Sequence, residues 1–269
     1  MTAIIVPVNF SQASTNAAQY ALKLALDNNA ELHLLHVIMI QPSITHAPLP
    51  DNLMEQMKDD ARFSMAELAE DLRSAPGSEV PIHTHIEWGS VDHQVKELAS
   101  RKHADIVVMG LSQESAQKVV YQSNAFSALK TLNVPLLIIP DNAAYKAWEH
   151  IALAYDFAHP VKELPLESIT KLKYLKGAII HVVYAKRKNE AEPGHAVMQD
   201  VRERLAGCEV RFHLVESESV DEGISEYAGH HEADLLVLLP KHHSFFEFHK
   251  SDSKRILRHL SVPMLSTPL

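Results

Sequence analysis

The chain of 269 residues contains a single cysteine, Cys208. That excludes an internal disulfide and any cysteine metal cluster, and it suits a reducing compartment. Basic residues are also in deficit: 25 Lys and Arg stand against 34 Asp and Glu, a formal net charge of -9. Neutralising phosphates needs a clustered cationic surface, so a general nucleic-acid binder is excluded. The one short basic stretch, Lys186-Arg187-Lys188, reads as a solvated strand end. No apolar run approaches the roughly 20 residues of a membrane span. The start, MTAIIVPVNF, lacks the basic segment and long apolar core of a signal peptide. A soluble cytoplasmic protein with no membrane or nucleic-acid partner is expected. Catalytic signatures are missing too: there is no Gly-x4-Gly-Lys-Ser/Thr loop, no Gly-x-Ser-x-Gly elbow and no HExxH helix. Without them the expectation is not an enzyme.

What the chain does have is a repeat. ADIVVMG (104–110) returns as ADLLVLL (233–239), and LKTLNVPLLIIP (129–140) as LRHLSVPMLSTP (257–268); Ala233 minus Ala104 is 129, and Pro268 minus Pro140 is 128. EWGSVDHQVKELA (87–99) answers ESESVDEGISEYA (216–228) at the same 129. LLHV (34–37) matches IIHV (179–182) at 145, which places about 16 extra residues in the first copy, in the proline-rich QPSITHAPLPDN. Two domains are expected, 1–142 and 148–269, each long enough to bury a core of its own.

Within each copy two periodicities alternate. IIVPV (4–8), ELHLLHVI (31–38), PIHTHIE (81–87), ADIVVMG and VPLLIIP are short runs rich in Val, Ile and Leu, as expected of strands buried on both faces of a parallel sheet. STNAAQYALKLALDNN (14–29) places Ala18, Ala21, Leu22 and Ala25 on one helical stripe, and VDHQVKELASRK (91–102) does so with Val91, Val95 and Leu98. Ser11 and Ser90 stand at the N-cap positions. Alternating strands and helices give right-handed βαβ units. The fold class is therefore α/β, two tandem doubly wound domains with a mainly parallel sheet of five strands each. Ligands of such sheets bind at the carboxyl ends of the strands, where strand order reverses.

VPVNFSQAS at the start, a strand ending in HV, WGS before a helix, ADIVVMG, and a glycine-poor loop leading to NVPLLIIP together resemble a tandem universal stress protein. The resemblance covers nearly the whole chain and rests on the order of several short motifs. It implies Rossmann-like domains of the adenine nucleotide alpha hydrolase type and a stress-response binding or regulatory module. It also implies ATP or another adenine nucleotide held by strand-end residues, here Pro7, Val8, Val37 and Met109. Family members that bind nucleotide carry Gly-x2-Gly-x9-Gly-Ser/Thr after the fourth strand, because glycines let backbone N–H groups approach phosphates. In MGLSQESAQKVVYQS (109–123) Gly110 keeps the first place, Gln113 takes the second, and Gln122-Ser123 replace the last pair. The second copy has Leu239, His242 and Lys250-Ser251 at these places. The family's Asp after the first strand is Asn9 in copy one and Asp156 in copy two. Asn9, Gly110, Ser123, Asp156 and Ser251 are thus candidate contacts in degenerate sites. For Asn9 and Asp156 the other reading is a cap on the turn into the next helix, and for Ser123 and Ser251 an N-cap.

The 18 histidines include His230, His231, His242, His243 and His249 in the second copy, but no paired metal-ligand spacing. Solvated or packed histidines are expected, and no metal site. His36 and His181 close the second strand of each copy, where a small ligand or a satisfied buried histidine both fit. Three functions remain open: nucleotide binding in the first copy, tested by a bulky replacement of Gly110; a module acting through unknown protein partners, another ligand or a metal; and a weak ATPase. Apolar last strands in both copies suggest pairing of the domains within the chain, with a homodimer also open.

Overall fold

A computed structural model describes residues 2–39, 50–75, 79–112, 127–128, 132–155, 166, 169, 175, 177–186, 192, 194–230, 233–239 and 260–268. The chain divides into two compact units, Met1–Tyr145 and Lys146–Leu269.

In the first unit β1 (Thr2–Val8), β2 (Ala30–Ile38), β3 (Ile82–Trp88), β4 (Ile106–Leu111) and β5 (Leu136–Pro140) lie in the order β3-β2-β1-β4-β5, every pair parallel. The central strands have no measurable exposure at Ile4, Ile5, Val6, Leu34, Ile106 and Val107. This is why they read as unbroken apolar runs. Each such side chain contributes about 1.5–3 kcal/mol by leaving water.

Helix α1 (Gln12–Asn28) lies on this sheet through alanines. Ala13, Ala17, Ala18, Ala21 and Ala25 are all buried. Small side chains bring its axis close to β4, with a consequence at Gly110 described below. Ser11 caps the helix, its hydroxyl accepting from Ser14 N at 3.3 Å. Asn29, at φ 50°, ends it with its N–H on Ala25 O. Helix α2 (Asp51–Arg73) touches α1, whereas α3 (Val91–Lys102) returns from β3 to β4 across β2 and β1. Right-handed crossovers then put α1 and α2 on one face and α3 on the other. Here too a left-handed residue other than glycine closes the helix, His103 at φ 49°.

The second unit repeats the order as β10-β9-β6-β7-β8, again wholly parallel. Its strands are β6 (His150–Ala154), β7 (Ile179–Lys186), β8 (Glu209–Glu216), β9 (Leu235–Leu238) and β10 (Met264–Ser266). Helix α4 (His195–Arg204) follows β7, and α5 (Val220–His230) packs on β7 and β8. α2 has 23 residues against 10 in α4, so much of the first copy's extra length is helix rather than proline-rich connection.

Asp105 and Asp234 stand at equivalent strand starts and explain each other. Asp105 Oδ2 accepts from Ala3 N at 3.0 Å, and Asp234 Oδ2 accepts from His150 N at 2.8 Å and Glu149 N at 2.9 Å. Each ties the fourth strand to the first at the amino edge. Lys186 departs from expectation. It is buried, within 3.4 Å of Glu216 and 3.8 Å of Glu192, because β7 runs on to place it opposite Glu216 between two carboxylates.

Candidate functional site

Strand order in the first unit reverses between β1 and β4, and a shallow cleft open to solvent lies there at the carboxyl ends of the strands. Pro7, Val8 and Asn9 come from the end of β1, Val37 from β2, and Met109 and Gly110 from β4. All six are first-unit residues singled out from the sequence, and the fold brings them together. Ser123, Asp156 and Ser251, like His231, His242, His243 and His249, fall outside the described residues.

Sequence reasoning missed Ser14, Leu35, Met39 and Val91 in the same lining. Leu35 and Met39 were legible in principle, since alternation along β2 puts them on the face of Val37. Val91 is the first residue of α3, brought in by the turn at Gly89, whose φ of +130° suits glycine. Gln94 Nε2 closes that turn onto Trp88 O at 2.9 Å, while Ser90 occupies the N-cap without a side-chain cap bond. Next to Val91, Asp92 Oδ2 accepts from Ser127 Oγ, which ties the far side of the glycine-poor loop to α3.

The walls are apolar. Val8, Leu35, Val37 and Met109 are each buried to within a few per cent. The polar groups gather at one end, on the turn into α1. Asn9 Oδ1 accepts from Ser11 Oγ at 2.9 Å and from Ser11 N at 3.3 Å, so its acceptor oxygen is engaged in capping the turn. Ser14 Oγ donates to Ser11 O at 3.0 Å and accepts from Asn9 N at 3.3 Å. The first turn of α1 carries no acidic residue, so its partial positive end faces the cleft without a local counter-charge.

Gly110 owes its identity to packing. A Cβ there would lie 2.2 Å from Ala13 O and 2.9 Å from Ser14 N, both backbone atoms of α1. A bulky replacement therefore displaces the helix whether or not a ligand binds, and the simple Gly110 test does not separate the two readings.

His36 takes the satisfied-histidine role. Its Nδ1 lies 2.9 Å from Val8 O, which can only accept, so the proton sits on Nδ1. Phe10, at φ 63°, stacks on the ring with centroids 4.6 Å apart. His181 is not its equivalent. It is the third residue of β7, far from the carboxyl end, because β7 extends beyond the matched IIHV. Among the described lining residues of the cleft there is no carboxylate, histidine, lysine or cysteine. The arrangement can enclose a flat apolar group and present dipoles to a polar one.

A sequence model of the Universal stress protein family matches residues 1–140. Universal stress protein G of Shigella flexneri is 31% identical over 142 residues, 51% of this chain and 97% of that protein. A universal stress protein of Methanocaldococcus jannaschii is 25% identical over 142 residues, 51% of this chain and 80% of that protein. Over the whole length, the crystal structure of a universal stress protein from Archaeoglobus fulgidus superposes with a TM-score of 0.76 at 17% identity, covering 99% of this chain and 98% of that one. That likeness shows the two-unit α/β fold.

Proposed function

The chain belongs to the universal stress protein family, and from that footing we propose that it is a binding and regulatory module whose first unit holds an adenine nucleotide in the cleft. The carrying observation is the convergence of Val8, Val37 and Met109 as apolar walls with the unneutralised N-terminus of α1 at one end. Apolar walls suit a purine ring, and a helix N-terminus suits phosphate. Two features weaken the hold relative to a complete family site. Asn9 supplies no charge and its oxygen serves the turn. The loop after β4 keeps only Gly110 of the three family glycines. The second unit is a more degenerate copy of the same domain, without that first glycine.

Thermal unfolding with and without AMP or Mg-ATP tests this. A ligand at about 100 times its Kd adds about 2.7 kcal/mol to the unit that binds it. The expected result is a rise in midpoint with nucleotide that Val91→Trp, at the partly exposed rim of the cleft, abolishes. No rise at millimolar nucleotide, or a rise that Val91→Trp leaves intact, overturns the proposal.

A further inference from the structure

Strand register reveals a feature common to both units that lies away from the cleft. Ile4 pairs with Leu32 and Ile106, and Ile151 pairs with Ile180 and Leu235. Leu32 therefore corresponds to Ile180, and His33 to His181. On the next strand Leu35 faces His85 and Val183 faces His213, so these histidines correspond as well. The contact is the same in both: His33 Nδ1 to His85 Nε2 at 3.0 Å, and His181 Nδ1 to His213 Nε2 at 2.9 Å.

Around this shared pair the units differ. In the second, His181 Nε2 meets His150 Nδ1 at 3.1 Å, and Arg211 lies opposite His181 in register. In the first, His83 lies opposite His33, and Glu31 stands two residues before it. Glu31 Oε1 is 3.1 Å from His33 Nε2, Glu31 Oε2 is 3.5 Å from His83 Nε2, and one donor atom from each of the three residues lies within 4.8 Å of the others. Bonds of about 2.0–2.2 Å in a tetrahedral site put neighbouring donors roughly 3.3 Å apart. Each imidazole already has that spacing to one carboxylate oxygen, His33 to Oε1 and His83 to Oε2. The His83 ring now stacks on His33, with centroids 4.8 Å apart, and must tilt to complete the site. Its side chain is 48% exposed, which leaves room for that movement, whereas His33 is wholly buried and anchors the site.

We propose that Glu31, His33 and His83 form a divalent transition-metal site in the first unit, with His85 as the group that orients His33. Two imidazoles and one carboxylate with solvent access at the fourth position match zinc and its borderline neighbours rather than magnesium or calcium. A metal on His33 Nε2 requires the ring proton on Nδ1, where His85 Nε2 accepts it; such a partner for the distal nitrogen is the usual support of a metal-bound histidine. Lys102 opposes a cation in the site, and Arg101, beside Glu87 at 3.6 Å, adds to that. The second unit keeps the orienting pair but has Ile179 and Arg211 in place of Glu31 and His83, and binds no metal there.

The test is equilibrium dialysis of the full chain against zinc chloride, with metal counted per chain and magnesium chloride as the comparison. One zinc per chain is expected, with Kd at least 10-fold weaker in His83→Ala and in Glu31→Gln, unchanged in Arg211→Ala, and no magnesium retained. His83 is half-exposed and Glu31 partly so, and the thermal midpoint of each variant confirms that it folds. Absence of zinc binding overturns the proposal, and so does zinc whose affinity neither first-unit variant changes.

Discussion

Replacing Gly110 with alanine should unfold the first unit at a measurably lower temperature in the absence of any ligand. The added methyl would sit 2.2 Å from Ala13 O, 2.5 Å from Ala13 C and 2.9 Å from Ser14 N. These are backbone atoms in the first turn of α1, so no side-chain rotation relieves them. Either the amino end of α1 lifts from β4, undoing the burial of Ala13 and Ala17, or β4 distorts between β1 and β5. Overpacking of this kind costs about 1–3 kcal/mol and occasionally more. The entropy gained by removing a glycine, about 0.4–1 kcal/mol, offsets only part of it. A net loss of about 2 kcal/mol lowers the midpoint by about 4–8 °C for a domain of this size. The chain offers a clean assay because each unit has one tryptophan, Trp88 and Trp148. In a Trp148→Phe background the fluorescence of Trp88 reports the first unit alone, which avoids treating a two-unit chain as two-state. A Gly110→Ala midpoint within about 1 °C of its parent would refute the close approach of α1. As a control, Gly194→Ser should hold or slightly raise stability, since Gly194 caps α4 in extended backbone with open space around its Cα.

Other consequences can be checked in the same way. Asn9→Ala removes the acceptor of both Ser11 groups and should cost about 0.5–1.5 kcal/mol in urea unfolding, whereas Asn9→Asp keeps the acceptor and should leave stability nearly unchanged while tightening nucleotide binding. His103→Gly relieves a left-handed residue at an exposed helix end, with an expected gain of about 0.5–1 kcal/mol; a loss would mean that the imidazole contributes more than the backbone costs. For Asp234, burial raises the carboxyl pKa, but bonds from the His150 backbone, Lys146 and the Glu149 backbone outweigh it, and the folded pKa lies below the ordinary value. A depressed folded pKa stabilises above the unfolded value, about 3.9, and the contribution is lost as pH falls through the folded one. Asp234→Asn should therefore weaken the second unit at pH 7 and progressively less below about pH 4; a deficit that is constant with pH refutes the linkage.

Much of the frame was legible because its signals are local. ADIVVMG and VPLLIIP are too short for core helices and too apolar for surface strands, which leaves strands buried on both faces. VDHQVKELASRK begins after Ser90 and ends in Arg101-Lys102, and the helix spans the same residues. The cleft residues followed from one topological rule, since Pro7, Val8, Asn9, Val37, Met109 and Gly110 all stand at the carboxyl ends of strands that meet at the reversal of order. α2 was less visible: its buried positions, Ala61, Met65, Leu68, Ala69 and Leu72, follow a proline-rich stretch that absorbed the extra length. What no window could show was the different meaning of Gly110. In a family pattern it is a place for phosphate, whereas its neighbours across the fold make it a place for a helix.

The histidines show why pattern matching failed in the second strand. LLHV and IIHV align on four residues and pair His36 with His181, but an apolar strand can slide along another with little change in its hydrophobic profile. Only the neighbouring strands decide, and Ile4 to Leu32 against Ile151 to Ile180 moves the match to a shift of 148, Ile180 minus Leu32, instead of 145. The difference of three is odd, so the two alignments put the matched histidine on opposite faces of the sheet. In the first, His36 sits by the carboxyl edge and braces the β1 turn through Val8 O. In the second, His33 lies under the end of α3, bonded to His85 as His181 is to His213. Both units carry a His–His contact that the linear sequence disguises, and among the described residues the first adds a carboxylate and a third imidazole with metal-ligand spacing, whereas the second adds His150. Exchanging Ile179→Glu and Arg211→His in the second unit should then raise bound zinc from one to two per chain. A count that stays at one would show that the shared pair is not enough to orient a ligand set, and that the geometry around Glu31 is particular to its own strand pair.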